Sequence, residues 1–83
     1  MTIKKNLETA NNAPRYEVLE ECGVVSQRKG GWELKLRYIS WNGAAPKYDL
    51  RPWKVDENGN EICNKGLTLS GEELEALVAI ING

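Results

Sequence analysis

Two stretches of the chain, residues 32–41 and 47–53, alternate between apolar and polar side chains with a period of two. This period matches a β-strand, in which successive side chains point to opposite faces, and it does not match a helix. One face of the first stretch is apolar and is predicted to be core: Trp32, Leu34, Leu36 and Tyr38. We expect the opposite face to be solvated and to present Lys35, Arg37 and Trp41. In the second stretch, one face carries Lys47, Asp49, Arg51 and Trp53, and the two polar faces can meet on one surface of the sheet.

The rest of the chain predicts two more strands and a helix. Residues 16–26 are rich in β-forming side chains, and Asn58-Gly59 predicts a type I′ hairpin turn from which a strand returns over residues 61–69. Ser70 and Glu73 have the spacing of a capping box, and the apolar residues that follow repeat at helical spacing: Leu74, Leu77, Val78 and Ile81. The predicted fold class is α+β, a four-stranded antiparallel sheet followed by one carboxy-terminal helix (β-β-β-β-α).

The length of the chain, 83 residues, is that of one domain. Residues 1–14 lack periodicity and are predicted to be a disordered amino-terminal arm, which leaves residues 15–83 as the single domain. So short a chain buries a small fraction of its surface, and a homodimer is therefore expected. The sequence contains no apolar run of about 20 residues and no signal-peptide pattern, so we expect a cytoplasmic protein without a membrane partner.

The charges are distributed unevenly along the chain. Residues 28–54 hold seven cations and two anions, together with all three tryptophans and two of the three tyrosines. The remaining residues hold four cations and ten anions, so the formal net charge of −1 hides a strongly basic segment. Aromatic rings stack on exposed bases while cations bind phosphates, and this pattern therefore predicts a domain that binds single-stranded nucleic acid.

Catalytic chemistry has little support in the sequence. The chain has no histidine, which is the commonest general base and metal ligand. Cys22 and Cys63 lack the spacing of a zinc site or a disulfide framework, and Ser70 stands where serine usually caps a helix. We therefore predict that the protein is not an enzyme and has no metal, no cofactor and no small-molecule substrate.

The segments YDLRPW and NKGLTLSGEELEAL together resemble the carboxy-terminal domain of the transcriptional coactivator positive cofactor four. The preceding WNGAAPKYDLRPW is similar to the short bacterial members of that family, the YdbC type. The resemblance covers roughly residues 16–82. It implies a homodimer of curved four-stranded sheets with helices packed behind them, which binds single-stranded DNA with little sequence preference, in transcription regulation or DNA maintenance.

The resemblance also implies roles for individual residues. Trp41 and Trp53 match the positions that stack on bases in the family, and Arg51 and Lys65 match those that bind phosphate. Three further cations of the basic segment are predicted to add to the phosphate contacts: Lys35, Arg37 and Lys47. Asp49 lies among these cations, and we expect it to orient Arg51 or to pair with a cation on a neighbouring strand.

Two other ligands are compatible with the same residues. Exposed tryptophan and arginine side chains also serve as anchors at protein–protein interfaces, so a protein-interaction module is one alternative. RNA is the second alternative, because stacking and phosphate contacts do not require the 2′-hydroxyl group. The sequence does not separate these ligands from single-stranded DNA. A salt titration separates nucleic acid from a protein partner, since only phosphate contacts release counterions, and competition with RNA of the same sequence separates RNA from DNA.

Overall fold

The structure, a computed structural model, describes residues 15–83. An antiparallel sheet in the order β1-β2-β3-β4 is followed by one helix, and a further short strand, β5, pairs with β3 beside β4. The strands and the α-helix are β1 (Tyr16–Gln27), β2 (Glu33–Trp41), β3 (Lys47–Val55), β4 (Glu61–Cys63), β5 (Leu67–Leu69) and α1 (Gly71–Asn82), and a short 3₁₀ helix (Lys29–Gly31) connects β1 to β2. The α+β class, the antiparallel sheet and the carboxy-terminal helix are confirmed, while the predicted arm lies outside the described residues.

The predicted fourth strand is divided into β4 and β5, which both pair with β3. Gly66 lies in the break and packs directly on the β3 backbone. A Cβ atom at this position would overlap the Leu50 carbonyl oxygen and the Cβ atom of Arg51, and would lie 2.8 Å from the Cα atom of Arg51. Only glycine allows this close approach, which also places Lys65 next to Arg51.

The first strand, β1, follows β2 over its whole length, with three register shifts between Val18 and Ser26. The shifts change which residues share a face, so a simple period of two does not describe this strand. Tyr16 pairs with Trp41, and Glu21 pairs with Arg37. These two β1 residues therefore lie on the same sheet face as the predicted binding residues of β2.

Two of the Asn-Gly pairs, Asn42-Gly43 and Asn58-Gly59, connect strands and adopt different turns. At Asn42-Gly43 both residues have positive φ, 53° and 79°, as a type I′ turn requires. At Asn58-Gly59 only the glycine has positive φ, and the Gly59 amide donates to the Asp56 carbonyl oxygen. The predicted type I′ turn at Asn58-Gly59 is therefore wrong, because the side chain of Asp56 accepts from the Asn58 and Asn60 amides and favours a three-residue loop.

The helix α1 begins as the sequence predicts. The Ser70 hydroxyl accepts from the Glu73 amide at 3.1 Å, and the Glu73 carboxylate accepts from the Ser70 amide at 2.8 Å. The helix contacts β3 and β5, yet only Leu74 of its apolar stripe is half-buried. Ile81 is 73% exposed, and Leu77 and Val78 are also exposed, so one chain leaves the stripe largely uncovered.

The best-buried side chains lie on the sheet face that the sequence predicts to be solvated. Ile39 and Trp53 are each 1% exposed, and Arg37 and Asp49 on the same face are also buried. The opposite face, which carries Leu34 and Leu36, is only half-buried. Burial in the single chain is therefore the reverse of the prediction, because polar and aromatic side chains cover one another on the first face. No helix within residues 15–83 is long and apolar enough to cross a membrane.

Candidate nucleic-acid interface

One face of the sheet carries the predicted binding residues of β2 and β3, and it is called the inner face. Its members are Glu33, Lys35, Arg37, Ile39, Trp41, Lys47, Asp49, Arg51 and Trp53. The strand register puts Lys35 opposite Arg51 and Arg37 opposite Asp49. Six of the seven predicted binding residues thus share one face, and Lys65 lies at its edge, beside Gly66.

The sheet curves so strongly that the two ends of the inner face meet. Trp53 pairs with Glu33, eight residues before Trp41 on β2, which is a separation of about 26 Å along an extended strand. The Trp41 and Trp53 ring centroids are nevertheless 6.2 Å apart, with planes inclined by 12°. The inner face is therefore concave, and side chains from distant points of the sheet are in contact there.

Three aromatic rings form a cluster at the centre of this concavity. The Tyr16 ring centroid lies 5.1 Å from that of Trp41 and 5.3 Å from that of Trp53. Trp53 is 1% exposed, Trp41 is half-buried and Tyr16 is 36% exposed. The expectation that Trp53 is exposed is wrong, because Tyr16 and the Arg37 guanidinium, 4.5 Å from the Trp53 ring centroid, pack against it.

Arg37 is buried in ion pairs and does not project into solvent. Its Nε and Nη2 atoms donate to the Glu21 carboxylate at 2.8 Å, and Nη2 also donates to Glu61 at 2.7 Å. Burial opposes the charged guanidinium, but the hydrogen bonds to Glu61 and Glu21 outweigh it and raise the pKa of Arg37. The same bonds from Arg37 lower the pKa of both carboxylates. The expectation of a solvated Arg37 is therefore wrong, since its charge is neutralised inside the protein.

Arg51, Asp49 and Trp41 form a second group. The fully buried Asp49 carboxylate accepts from Arg51 Nε at 2.7 Å and from Trp41 Nε1 at 3.0 Å, and its Oδ2 atom also forms an ion pair with Arg51 Nη2 at 2.7 Å. The Arg51 guanidinium lies 4.6 Å from the Trp41 ring centroid. Asp49 thus orients Arg51, as the sequence predicts, and it also fixes the Trp41 ring, because the ring hydrogen bond allows one orientation.

The lysines of the site differ in their surroundings. Lys35 is half-buried, with Nζ 3.7 Å from a Glu33 oxygen and 3.9 Å from a Glu61 oxygen. Lys47 and Lys65 are exposed, and no carboxylate between residues 15 and 83 forms an ion pair with either. The cationic charge that remains available to a ligand is therefore concentrated at Lys47 and Lys65, on the side of the face where Arg51 covers Trp41.

The sequence reasoning missed Tyr16 and Glu61. The Tyr16 hydroxyl donates to Glu61 Oε1 at 2.9 Å, and burial, followed by this hydrogen bond, raises the pKa of Tyr16 to about 12. The sequence does place Tyr16 at the start of a strand, but its position over the tryptophans follows from the curvature of the sheet. The arrangement as a whole presents a fixed, half-exposed aromatic surface beside two exposed lysines.

An open, curved antiparallel sheet with a terminal helix and a concave face of aromatic and cationic side chains is an arrangement typical of small nucleic-acid-binding domains. A family model described as Transcriptional Coactivator p15 (PC4) matches residues 29–80. An uncharacterized protein of Treponema pallidum (strain Nichols) is 40% identical over 72 residues, which are 87% of this chain and 81% of that protein. The chain belongs to the PC4 family, which is known for nucleic-acid binding and coactivation.

Proposed function

We propose that the protein binds single-stranded DNA with little sequence preference, through the inner face. The observation that carries this proposal is the half-exposed Trp41 ring, which Asp49 and Arg51 hold in place beside Lys47 and Lys65. Arg51 lies over part of this ring, and a base stacks on the part that stays exposed. A fixed ring loses no side-chain entropy on binding, and the two lysines reach phosphates on either side. A DNA ligand would place this activity in the cytosol, at the nucleoid.

Single strands should bind more tightly than duplexes, because base pairing hides the faces that Trp41 would stack on. The experiment is a titration of the full chain into a labelled single-stranded oligonucleotide, followed by competition with duplex DNA and with RNA of the same sequence. Equal binding to duplex DNA would contradict the stacking mechanism. If RNA competes more strongly than DNA, RNA is the preferred ligand, and the stacking mechanism still holds.

The contribution of Trp41 is testable with a pair of variants. Base stacking on an aromatic ring contributes about 1 to 3 kcal/mol, so Trp41→Ala should weaken binding by about 5- to 150-fold. Trp41→Phe retains an aromatic face and should recover part of that loss. Trp32 is half-buried and lies outside the inner face, so Trp32→Phe is a control with the same chemical change elsewhere.

The salt dependence reports which cations contact phosphate. Each contact on a single strand contributes about −0.7 to the logarithmic salt slope. If Lys47, Lys65 and the outer N–H groups of Arg51 make the contacts, the slope is about −2 per protomer. If the ion-paired Lys35 and Arg37 also take part, the slope is about −3.5. A slope near zero would favour the alternative of a protein-interaction module.

Two lysine variants separate these cases. Lys65→Ala should reduce the slope by about 0.7 and lower affinity evenly across sequences, because an exposed unpaired lysine can bind phosphate directly. Lys35→Ala should leave the slope nearly unchanged, since Lys35 lies near the Glu33 and Glu61 carboxylates. Equal effects of the two substitutions would show that the internal ion pairs open on binding.

The functional unit proposed here is a homodimer of residues 15–83. The apolar stripe of α1 is exposed in one chain, and the opposite sheet face is only half-buried, so a second copy would cover both. Light scattering on a sizing column should report twice 9.3 kDa. Ile81→Glu should produce a monomer, whereas Ala76→Glu, on the far side of the helix, should not.

Removal of residues 1–14 tests the proposed boundary of the binding domain. The cationic and aromatic groups of the inner face all lie within residues 15–83, so the shortened chain should retain the affinity of the full chain within about threefold, a difference below about 0.7 kcal/mol. A larger loss would assign part of the binding to the arm.

A further inference from the structure

Tyr16 has a position in the site that its place in the chain does not suggest. It is the first residue of β1, and the family model begins only at residue 29, after this strand has ended. Its ring nevertheless contacts both Trp41 and Trp53, at centroid distances of 5.1 and 5.3 Å. Of the three rings in the cluster, Tyr16 is the most exposed, at 36%, and it lies on the buried Trp53.

The Tyr16 ring is held in place at its far end. Its hydroxyl donates to Glu61 Oε1 at 2.9 Å, while Glu61 Oε2 accepts from Arg37 Nη2 at 2.7 Å. Glu61 is itself on β4, so the hydrogen bond joins the first strand of the sheet to the opposite side of the concave face. A ring that is fixed at both ends and belongs to a residue that is 36% exposed has the properties of a preorganised stacking surface.

We propose that Tyr16 is a second base-stacking residue, adjacent to Trp41, and that Glu61 is its positioning residue. This inference rests on the proposed function. The Tyr16 and Trp41 rings already touch, with planes inclined by 39°, so no base inserts between them. Successive bases of one strand instead stack on the outer faces of the two rings, while Lys47 and Lys65 hold phosphates. Trp53 supports both rings from below and does not meet the ligand.

The test uses the full chain and a labelled oligothymidylate, with binding followed by fluorescence anisotropy. Tyr16→Ala should weaken binding by about 5- to 150-fold and leave the salt slope unchanged, because the ring contacts no phosphate. Tyr16→Phe retains the ring and loses the hydrogen bond to Glu61 that positions it, so it should weaken binding by about 2- to 10-fold, which is less than Tyr16→Ala. Tyr16→Leu covers Trp53 with a side chain that has no aromatic face, so it should lose as much affinity as Tyr16→Ala. It takes the place of Tyr16→Ala if the alanine variant folds poorly.

An oligonucleotide of the same length that carries abasic sites provides the decisive control. It offers phosphates and no base faces, so the unmodified protein and Tyr16→Leu should bind it equally. If Tyr16→Leu binds the abasic strand more weakly than the unmodified protein does, its loss of affinity does not come from base stacking. That result would overturn the stacking role.

Three further outcomes distinguish the failure of this inference from the failure of the proposed function. If Trp41→Ala weakens binding while folded Tyr16→Leu does not, single-strand binding stands and the role of Tyr16 is wrong. If Tyr16→Leu binds more tightly, Tyr16 obstructs the site, and the inference is again overturned. If the unmodified protein binds no single-stranded oligonucleotide, the proposed function fails and the inference fails with it.

Discussion

Replacing Trp53 by alanine should destabilise the fold strongly. Trp53 is 1% exposed and packs against Tyr16, Trp41 and the Arg37 guanidinium. Truncation of a buried tryptophan to alanine costs about 3 to 5 kcal/mol, and the lost cation–π contact with Arg37 contributes to this cost. Typical small domains are stable by only about 5 to 15 kcal/mol.

One feature of Trp53 reduces that cost. Its indole Nε1 is buried and has no hydrogen-bond partner among the described residues. An unpaired buried donor costs about 1 to 3 kcal/mol, and its removal partly offsets the loss of packing. Trp53→Phe removes the donor and keeps most of the ring, so it should be much less destabilising than Trp53→Ala.

The assay is denaturant unfolding at a fixed protomer concentration, because the proposed dimerisation would make stability depend on concentration. A loss of about 3 kcal/mol corresponds to a fall in melting temperature of at least about 12 °C for a domain of this size. Oligonucleotide affinity is measured on the same samples, below the unfolding transition. If Trp53→Ala lowers stability by less than about 1 kcal/mol and abolishes binding, Trp53 is a surface stacking residue and the reasoning from its burial is refuted.

Gly66→Ala should lower stability by about 1 to 3 kcal/mol, because the new Cβ would overlap the β3 backbone. Gly71→Ala has open space around its Cβ and should be neutral or slightly stabilising. Melting curves of the two variants measure this contrast. Stability should also fall as the pH is lowered below about 4.5, the ordinary pKa of a glutamate. Hydrogen bonds from Arg37 lower the pKa of Glu21 and Glu61 in the folded state, so the unfolded state takes up protons first as the pH falls. Urea titrations at pH 7 and pH 3 measure this loss, and Glu61→Gln should reduce it; an unchanged loss would exclude Glu61 as its source.

The sequence predicts the elements of the fold well because local signals determine them. The alternation of residues 32–41 and 47–53 predicts β2 and β3, and the Ser70–Glu73 capping box predicts the start of α1. The interruption at Gly66 was missed, because it depends on the backbone of a distant strand, which no local pattern encodes.

The composition of the inner face was also predictable, and its burial was not. The alternation of side chains along the strands placed Arg37 and Trp53 on one face, and the register of β2 and β3 confirms this. A sequence pattern assigns a residue to a face but does not give the curvature of the sheet, and curvature brings Tyr16 and Glu61 together across the concave side. Glu21 faces Arg37 because β1 contains register shifts, which a strict period of two does not anticipate.

The division of β4 from β5 has a consequence for association between sheets. An open sheet with a long, regular free edge is a template for further strands and hence for aggregation. On one side of this sheet the edge is divided into two three-residue strands, and on the other side β1 is interrupted by register shifts and carries several glutamates. Neither edge offers a long, straight ladder of unpaired amides. The protein can therefore keep its sheet open without recruiting other sheets edge to edge.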